Sequence, residues 1–181
     1  MRYVEAVVDG ERVRVVDPEL FHSAPSADPA RGLGLYCRVD LAPGDHWWAH
    51  DHADRRFVKR VIPWPEYLQL PDEERREAER LCYLDGGTRS LVICAEPFCR
   101  VNHSGREANS EADAHGNSVV TRPIPTGTEI TQFYGYETIY SIVWKFPWIR
   151  EVLSPSELNN EAFLFANAAE HPVVLEFLRR L

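Results

Sequence analysis

The chain has 181 residues, with 20 Lys and Arg against 28 Asp and Glu, which gives a formal net charge of −8. This length fits one domain with a sizeable core, and an apolar content of 44% is too high for a disordered chain. The acidic balance argues against a general nucleic-acid binder, because contacts to phosphates need a positive surface, and it suits a basic partner. Only Lys59 and Lys145 are lysines, so arginine carries nearly all of the positive charge.

The sequence shows no targeting or disulfide pattern. Charged residues begin at Arg2 and Glu5, which leaves no apolar core for a signal peptide, and no run approaches the ~18 apolar residues of a membrane span. The cysteines lack C-x-x-C spacing and are expected to be small, reduced core residues: Cys37, Cys82, Cys94 and Cys99. These features predict a cytoplasmic protein, or a nuclear one if the source is eukaryotic.

The first elements are predicted to be strands. Alternating apolar residues on either side of an Asp-Gly pair predict a hairpin with strands at about 2–8 and 11–16. Residues 17–32 are rich in Pro, Ala, Ser and Asp, and this composition predicts a loop. Residues 33–41 predict another short strand, which ends at a Pro-Gly turn.

The middle and the end of the chain are predicted to contain helices. The segment 64–84 has an acidic turn after a proline, which suits the positive end of a helix dipole. Short strands and turns are expected from 90 to 135. Ser154 begins a capping box, so the tail is predicted to be helical at about 155–168 and 172–181, with its Leu and Phe residues packed on the sheet core.

A histidine cluster is the first candidate for chemistry. His50, His52 and Asp54 form an H-x-H-x-D pattern, which can present metal ligands from one loop. The order is similar to that of the binuclear zinc hydrolases, although Arg55 stands where a further histidine is expected. The alternative is a set of polar residues on an exposed strand and turn, which also includes His46.

Two other segments carry patterns that are weak on their own. Asn102-His103-Ser104 could cap a turn with its side chains, and its adjacent Ser and His cannot form a nucleophile–base pair by themselves. The segment 126–137 runs from a Gly turn into a short strand that ends in Tyr-Gly, and aromatic residues are concentrated around it. These rings are expected either in the core or as walls of a narrow apolar channel.

The order of these pieces resembles the SET domain, the family of protein-lysine methyltransferases that use S-adenosylmethionine. The resemblance covers residues from about 31 to 137, more than half of the chain. The elements that carry it are, in order, Gly32-Leu33-Gly34, a strand ending at Leu41 before Pro43-Gly44, Asn102-His103-Ser104, Gly127-Thr128-Glu129-Ile130 and Tyr134-Gly135.

The resemblance implies a role for the residues that match these elements. The backbone of Gly32, Leu33 and Gly34 would lie against the cofactor, S-adenosylmethionine, since glycines let the main chain approach closely. Asn102 and His103 would contact the adenine and amino-acid parts of the same cofactor.

An aromatic channel around the transferred methyl group is also implied. Tyr134 would supply the catalytic hydroxyl and contact the cofactor, and Tyr83 stands near the place of a second catalytic tyrosine. Phe133 and Tyr136 would line the substrate channel and set its width. Methyl transfer from a sulfonium needs alignment and a neutral amine but no metal, and desolvation among aromatic rings lowers the pKa of a lysine.

The implied fold is mainly β with α, a SET-type β-clip of small twisted sheets in which the Asn-His-Ser and Tyr-Gly segments meet in a pseudoknot. The SET-like domain would span 1–140, with the N-terminal hairpin and a helical insert at about 61–90. An aromatic and helical tail would follow at 141–181.

Three functions therefore stay open. The first is an S-adenosylmethionine-dependent enzyme that methylates a lysine of a basic protein or peptide, without direct nucleic-acid or membrane contact. The second is a non-catalytic SET-like module that binds cofactor or peptide, because Phe133 and Gly105 replace the Asp and Cys that are common in the family. The third is a metal-dependent hydrolase built on His50, His52 and Asp54.

Overall fold

A computed structural model describes residues 2–181, which form two compact units. The first unit comprises the chain up to Lys59 together with Cys94–Phe133, and the second comprises Arg60–Ile93 together with Tyr134–Leu181. A large mixed sheet makes up most of the first unit, whereas the second contains a small sheet and the α-helices. The predicted class, mainly β with α, is confirmed.

The strands of the described residues are short. They are β1 (Tyr3–Val8), β2 (Glu11–Val16), β3 (Phe21–Pro25), β4 (Leu33–Cys37), β5 (His46–Trp48), β6 (Val58–Pro63), β7 (Cys82–Asp85), β8 (Ser90–Cys94), β9 (Asn102–His103), β10 (Ser110–Ala112), β11 (Ser118–Val120) and β12 (Glu129–Gln132). The first unit contains a nine-stranded sheet in the order β1-β2-β5-β11-β10-β12-β4-β3, with β9 beside β12. The predicted stretch of short strands between 90 and 135 is confirmed.

The N-terminal hairpin is confirmed in detail. β1 and β2 pair antiparallel, with Val8 opposite Glu11. Asp9 and Gly10 both adopt positive φ angles, 52° and 84°, which is the conformation that a two-residue hairpin turn requires. The Asp-Gly pair thus sets the register of the hairpin.

The prediction of a loop at 17–32 is wrong in part. Residues Phe21–Pro25 form β3, which pairs antiparallel with β4 and places Phe21 opposite Cys37. β3 lies at the outer edge of the sheet. Pro25 has no N–H to donate, and an edge strand tolerates this because no further strand pairs with its outer side. The composition of this segment therefore predicts a loop where the structure has an edge strand.

Aromatic side chains form the centre of the first unit. Trp47, Phe57 and Phe98 are almost completely buried, and the ring of Phe98 lies 5.3 Å from that of Phe21 and 5.6 Å from that of Phe57. Leu35 and Ile130 on the central strands are also fully buried. This packing fixes β4 and β12, from which the functional segments extend.

The second unit contains a three-stranded sheet, β6-β8-β7, and helices. The helices are α1 (Trp64–Tyr67), α2 (Asp72–Leu81), α3 (Ile139–Lys145), α4 (Pro155–Leu158), α5 (Glu161–Leu164) and α6 (Pro172–Arg180). Helix α2 confirms the heart of the predicted helix at 64–84, with three acidic residues in its first turn. The prediction is wrong at its end, because residues 82–85 pair with β8 as a strand.

The tail is helical, as predicted, but it is divided into short helices. Asn160 caps α5 with its side chain and so interrupts the predicted helix at 155–168. Phe165 packs in a core cluster with Leu84 and Leu91 of the small sheet, which confirms the expected packing of the tail. Within residues 2–181, no helix has both the length and the apolar character needed to cross a membrane.

The aromatic concentration near the Tyr-Gly element contributes to this core. Tyr140 and Trp144 of α3 pack edge to face, with ring centroids 4.4 Å apart, and Trp64 lies 5.3 Å from Tyr140. Of the two expectations for the aromatic rings of this segment, core packing is therefore the one that holds for Tyr140 and Trp144.

Loss of the capping box should destabilise the tail measurably. Ser154 accepts the Glu157 N–H, and the Glu157 carboxylate accepts the Ser154 N–H at 2.7 Å. Ser154→Ala is expected to lower the free energy of unfolding by about 1 kcal/mol, measured by urea denaturation. The control Ser23→Ala changes an exposed serine of β3 and should stay within about 0.5 kcal/mol of wild type. Equal stability of the two variants would contradict the role of the cap.

Candidate functional site

Three segments that are distant in sequence meet at the Asn102 side chain in the first unit. Its Nδ2 donates hydrogen bonds to the Leu33 carbonyl oxygen at 3.0 Å and to Oε1 of Glu129 at 2.7 Å. β9 runs parallel to β12, with His103 opposite Gln132. The G-x-G turn, the Asn-His element and the strand before the Tyr-Gly element thus come together in the first unit.

Glu129 holds these segments together, although no role was predicted for it. Its second oxygen, Oε2, accepts hydrogen bonds from the Ser26 hydroxyl at 2.8 Å and the Ala27 N–H at 3.0 Å. A Cβ atom at Gly34 would lie 2.5 Å from Oε1, so only glycine lets the carboxylate approach β4 this closely. A glycine that lies beside an acidic residue of the neighbouring strand would have indicated this contact. The sequence does not reveal that the two residues are neighbours, because this depends on which strands pair.

The backbone at Gly32 is open to approach by a ligand. Gly32 has a φ of +75°, and the space where a Cβ would point contains no atom within 4 Å. Next to it, Arg31 donates from Nη1 to the His103 carbonyl oxygen at 2.7 Å and pairs with Asp28 at 3.2 Å. The Arg31 guanidinium is thus held between Asp28 and the His103 carbonyl, beside the open main chain of Gly32.

Phe133 completes this cluster on the side of β12. Its N–H donates to the Ser110 carbonyl oxygen at 3.3 Å, and its ring centroid lies 5.9 Å from that of His103. The predicted channel residue and the predicted cofactor residue are therefore neighbours. The predicted cofactor residues and Phe133 all lie in the first unit, except Tyr134.

The three predicted tyrosines belong to the second unit. Tyr134 is 8% exposed and begins a 3-10 turn that ends at Tyr136. The Tyr136 carbonyl oxygen accepts a hydrogen bond from Asn167 at 2.8 Å, which ties this turn to the tail. Tyr83 lies on β7 opposite Val92 and is half-buried.

A lysine lies against the face of the Tyr134 ring. Lys145 Nζ is 4.2 Å from the ring centroid and donates hydrogen bonds to both oxygens of Glu137, at 2.7 and 2.9 Å. Burial alone would lower the pKa of the Lys145 ammonium, but the Glu137 carboxylate outweighs this effect and raises the pKa above its usual value. The Ser141 hydroxyl also donates to Glu137. The Tyr134 ring is thus fixed next to a permanent positive charge.

Burial also determines the state of the nearby thiol. It raises the pKa of Cys82 to about 12, and the Glu137 carboxylate adds to this effect while Lys145 opposes it. Cys82 therefore stays protonated at neutral pH and acts as the small core residue that was expected. All four cysteines are free thiols.

The histidine segment divides its residues among several contacts in the first unit. His46 pairs with Asp113 at 3.1 Å, and Asp54 accepts hydrogen bonds from Arg56 Nε at 2.9 and 3.0 Å. Burial opposes ionisation of Asp54, but the hydrogen bonds from Arg56 hold its pKa below the usual value. His50 and His52 approach each other, with their Nε2 atoms 2.8 Å apart. The third residue of the H-x-H-x-D pattern is thus committed to an arginine.

A separate polar pocket of about 410 Å³ opens in the first unit. Its lining includes Tyr3, Arg14, Asp45, His46 and His115. Tyr3 donates to Asp45 at 3.0 Å, and the Arg14 guanidinium stacks 3.7 Å above the Tyr3 ring. None of the predicted cofactor or channel residues lines this pocket.

Comparison with known proteins gives structural likeness only. No family model matches the chain, and no curated protein matches its sequence. The chain is similar to a proposed histone methyltransferase of Plasmodium falciparum, with 14% identity and a TM-score of 0.44 over 64% of this chain and 93% of that one. It is also similar to Polycomb Repressive Complex 2 of Chaetomium thermophilum bound to GSK126, with 17% identity and a TM-score of 0.48 over 64% of this chain and 16% of that one.

Removal of one acceptor from the Glu129 carboxylate should weaken the first unit. Glu129→Gln is expected to lower the free energy of unfolding by about 2 kcal/mol. The substitution replaces one acceptor oxygen by an amide nitrogen, which cannot accept a hydrogen bond from the donors that surround it. Glu111→Gln on β10 is the matched control and should change stability by less than about 0.5 kcal/mol, since its side chain is exposed. Denaturant unfolding of both variants measures the difference, and equal values would argue against Glu129 as the organising residue.

Proposed function

We propose that this protein is a methyltransferase that transfers a methyl group from S-adenosylmethionine to a lysine side chain of a basic protein or peptide. The observation that carries the proposal is the pair of hydrogen bonds from Asn102 to Leu33 and Glu129. It joins three sequence elements whose order alone resembles the SET family. The cluster also leaves the Gly32 backbone open to a ligand.

The cofactor would be held by residues of the first unit. The backbone of Gly32, Leu33 and Gly34 would bind it together with Asn102 and His103, since this cluster offers main-chain groups and the Oδ1 oxygen of Asn102, whose Nδ2 already donates to Leu33 and Glu129. When bound, S-adenosylmethionine supplies a methyl group activated by a positively charged sulfur. The task of the chain is then to align an acceptor amine and keep water away from it.

The acceptor lysine has to be neutral at Nζ when it attacks. We assign Tyr134 the role of holding this amine through its hydroxyl, with Tyr83 as a second tyrosine. The aromatic side chains of Phe133 and Tyr136 would line the approach and remove water from the amine, which lowers its pKa. The net charge of −8 favours encounter with a lysine-rich partner.

Cofactor binding can be tested with the demethylated product, S-adenosylhomocysteine, and with S-adenosylmethionine. When the ligand concentration is about 100 times the Kd, the wild-type protein should gain about 2.7 kcal/mol of stability, seen as a rise in Tm. His103→Ala removes the side chain but keeps the carbonyl that accepts from Arg31, and should weaken binding about fivefold, or about 1 kcal/mol. His115→Ala, which changes an exposed histidine, should bind like wild type. Absence of any shift at millimolar ligand would remove the basis of the proposal.

Catalysis can be separated from binding with Tyr134→Phe. This change removes only the hydroxyl and keeps the ring beneath Lys145, so cofactor affinity should stay within about twofold, or about 0.4 kcal/mol. The rate of methyl transfer from labelled cofactor to lysine-rich peptides should fall about 100-fold, as for loss of one positioned polar group. Tyr140→Phe is the control for loss of a tyrosine hydroxyl in the second unit.

The outcomes separate the proposed enzyme from a binding module. Transfer that persists in Tyr134→Phe would overturn the role of Tyr134. Tight cofactor or peptide binding without transfer to any lysine peptide would instead favour the non-catalytic SET-like module. Peptides with arginine in place of lysine show whether the acceptor is a lysine.

A further inference from the structure

The imidazole rings of His50 and His52 point two nitrogens at one place in the first unit. Their Nε2 atoms are 2.8 Å apart, and the ring centroids are 4.6 Å apart with an interplanar angle of 60°. Two imidazole nitrogens bound at ~2.0–2.1 Å to one tetrahedral zinc ion lie about 3.3 Å from each other. The observed spacing is therefore close to that of two neighbouring ligands of a single metal ion.

The ring of His50 is fixed in the orientation that a metal ligand needs. Its Nδ1 lies 3.3 Å from the His115 carbonyl oxygen, and because a carbonyl only accepts, Nδ1 carries the hydrogen. The lone pair of a neutral His50 is then on Nε2, and a backbone carbonyl on the other nitrogen is the usual partner of a metal-binding histidine. A Cβ atom at Gly116 would lie 2.3 Å from Nδ1, so this loop fits the ring only with glycine.

A short turn places His52 opposite His50. The Asp51 carboxylate accepts the N–H groups of Ala53 at 3.0 Å and Asp54 at 3.2 Å, which closes the chain around His52. Asp51 therefore acts as a turn former. The Asp54 carboxylate is bound to Arg56, as described above, so the two imidazoles are the groups of this segment that converge.

We propose that His50 and His52 form a binding site for a divalent first-row transition metal ion such as zinc. Imidazole nitrogen favours zinc, nickel or copper over magnesium and calcium, which prefer oxygen ligands. Binding replaces the hydrogen bond between the two Nε2 atoms by two metal–nitrogen bonds, and the proton of the His52 ring moves to its Nδ1. The proposal concerns binding and does not depend on methyl transfer.

Zinc titration of untagged, chelator-treated protein tests the site. Calorimetry with zinc chloride should give one equivalent, and His50→Gln and His52→Gln should each weaken its affinity at least about tenfold. His46→Gln is the matched control, because this histidine of the same segment is paired with Asp113, and it should bind zinc like wild type. An unchanged affinity in both His50→Gln and His52→Gln would show that zinc binds elsewhere and would overturn the proposal.

A measurement on the wild-type protein guards against variants that fold poorly. Long-range ¹⁵N–¹H spectra report each imidazole nitrogen separately, so zinc should shift the Nε2 signals of His50 and His52 and leave those of His46 in place. Magnesium chloride at the same concentration should shift none of them. A zinc response at His46 without one at His50 and His52 would exclude the site.

Discussion

The carboxylate of Glu129 is the group on which the arrangement of the first unit's functional segments depends. Its two oxygens accept three hydrogen bonds, one from Asn102 and two from the adjacent residues Ser26 and Ala27, so the carboxylate joins two parts of the chain that are far apart in sequence. A carboxylate with this many donors would be costly to leave unpaired, so each of the segments is held where its donor can reach it. The glycine at position 34 is the steric condition for this arrangement, because any side chain there would displace the carboxylate.

Local chemistry made some elements predictable and long-range pairing decided the others. The N-terminal hairpin follows from Asp9 and Gly10, which accept positive φ angles where most residues would be strained. The strand at 21–25 and the strand at 82–85 were not predicted, because each exists through a partner strand and their composition or helical context points elsewhere. The register of a strand and its position at the edge of a sheet depend on the assembled sheet, so a short stretch of sequence does not predict them.

The candidate site was likewise predictable only where the type of a single residue carries the information. Motif order indicated Asn102 and the glycines, whose chemistry is carried by their own residue type. The importance of Glu129 and the commitment of Asp54 to Arg56 depend on which neighbours fold against them, and a pattern of spacings does not contain that information. The histidine pattern illustrates the difference, since its two imidazoles converge while its carboxylate is used by an arginine.

The scarcity of lysine also bears on the proposed chemistry. A methyl acceptor needs a lone pair on Nζ, yet Lys145 donates two hydrogen bonds to Glu137, and this contact raises its pKa. The amine that lies over the Tyr134 ring therefore loses its proton less readily than an ordinary lysine and is poorly suited to be the acceptor. Because Lys59 is the only other lysine, the acceptor under this proposal has to come almost entirely from a partner. The acidic net charge is suited to recruiting a partner that is rich in the residue this chain lacks.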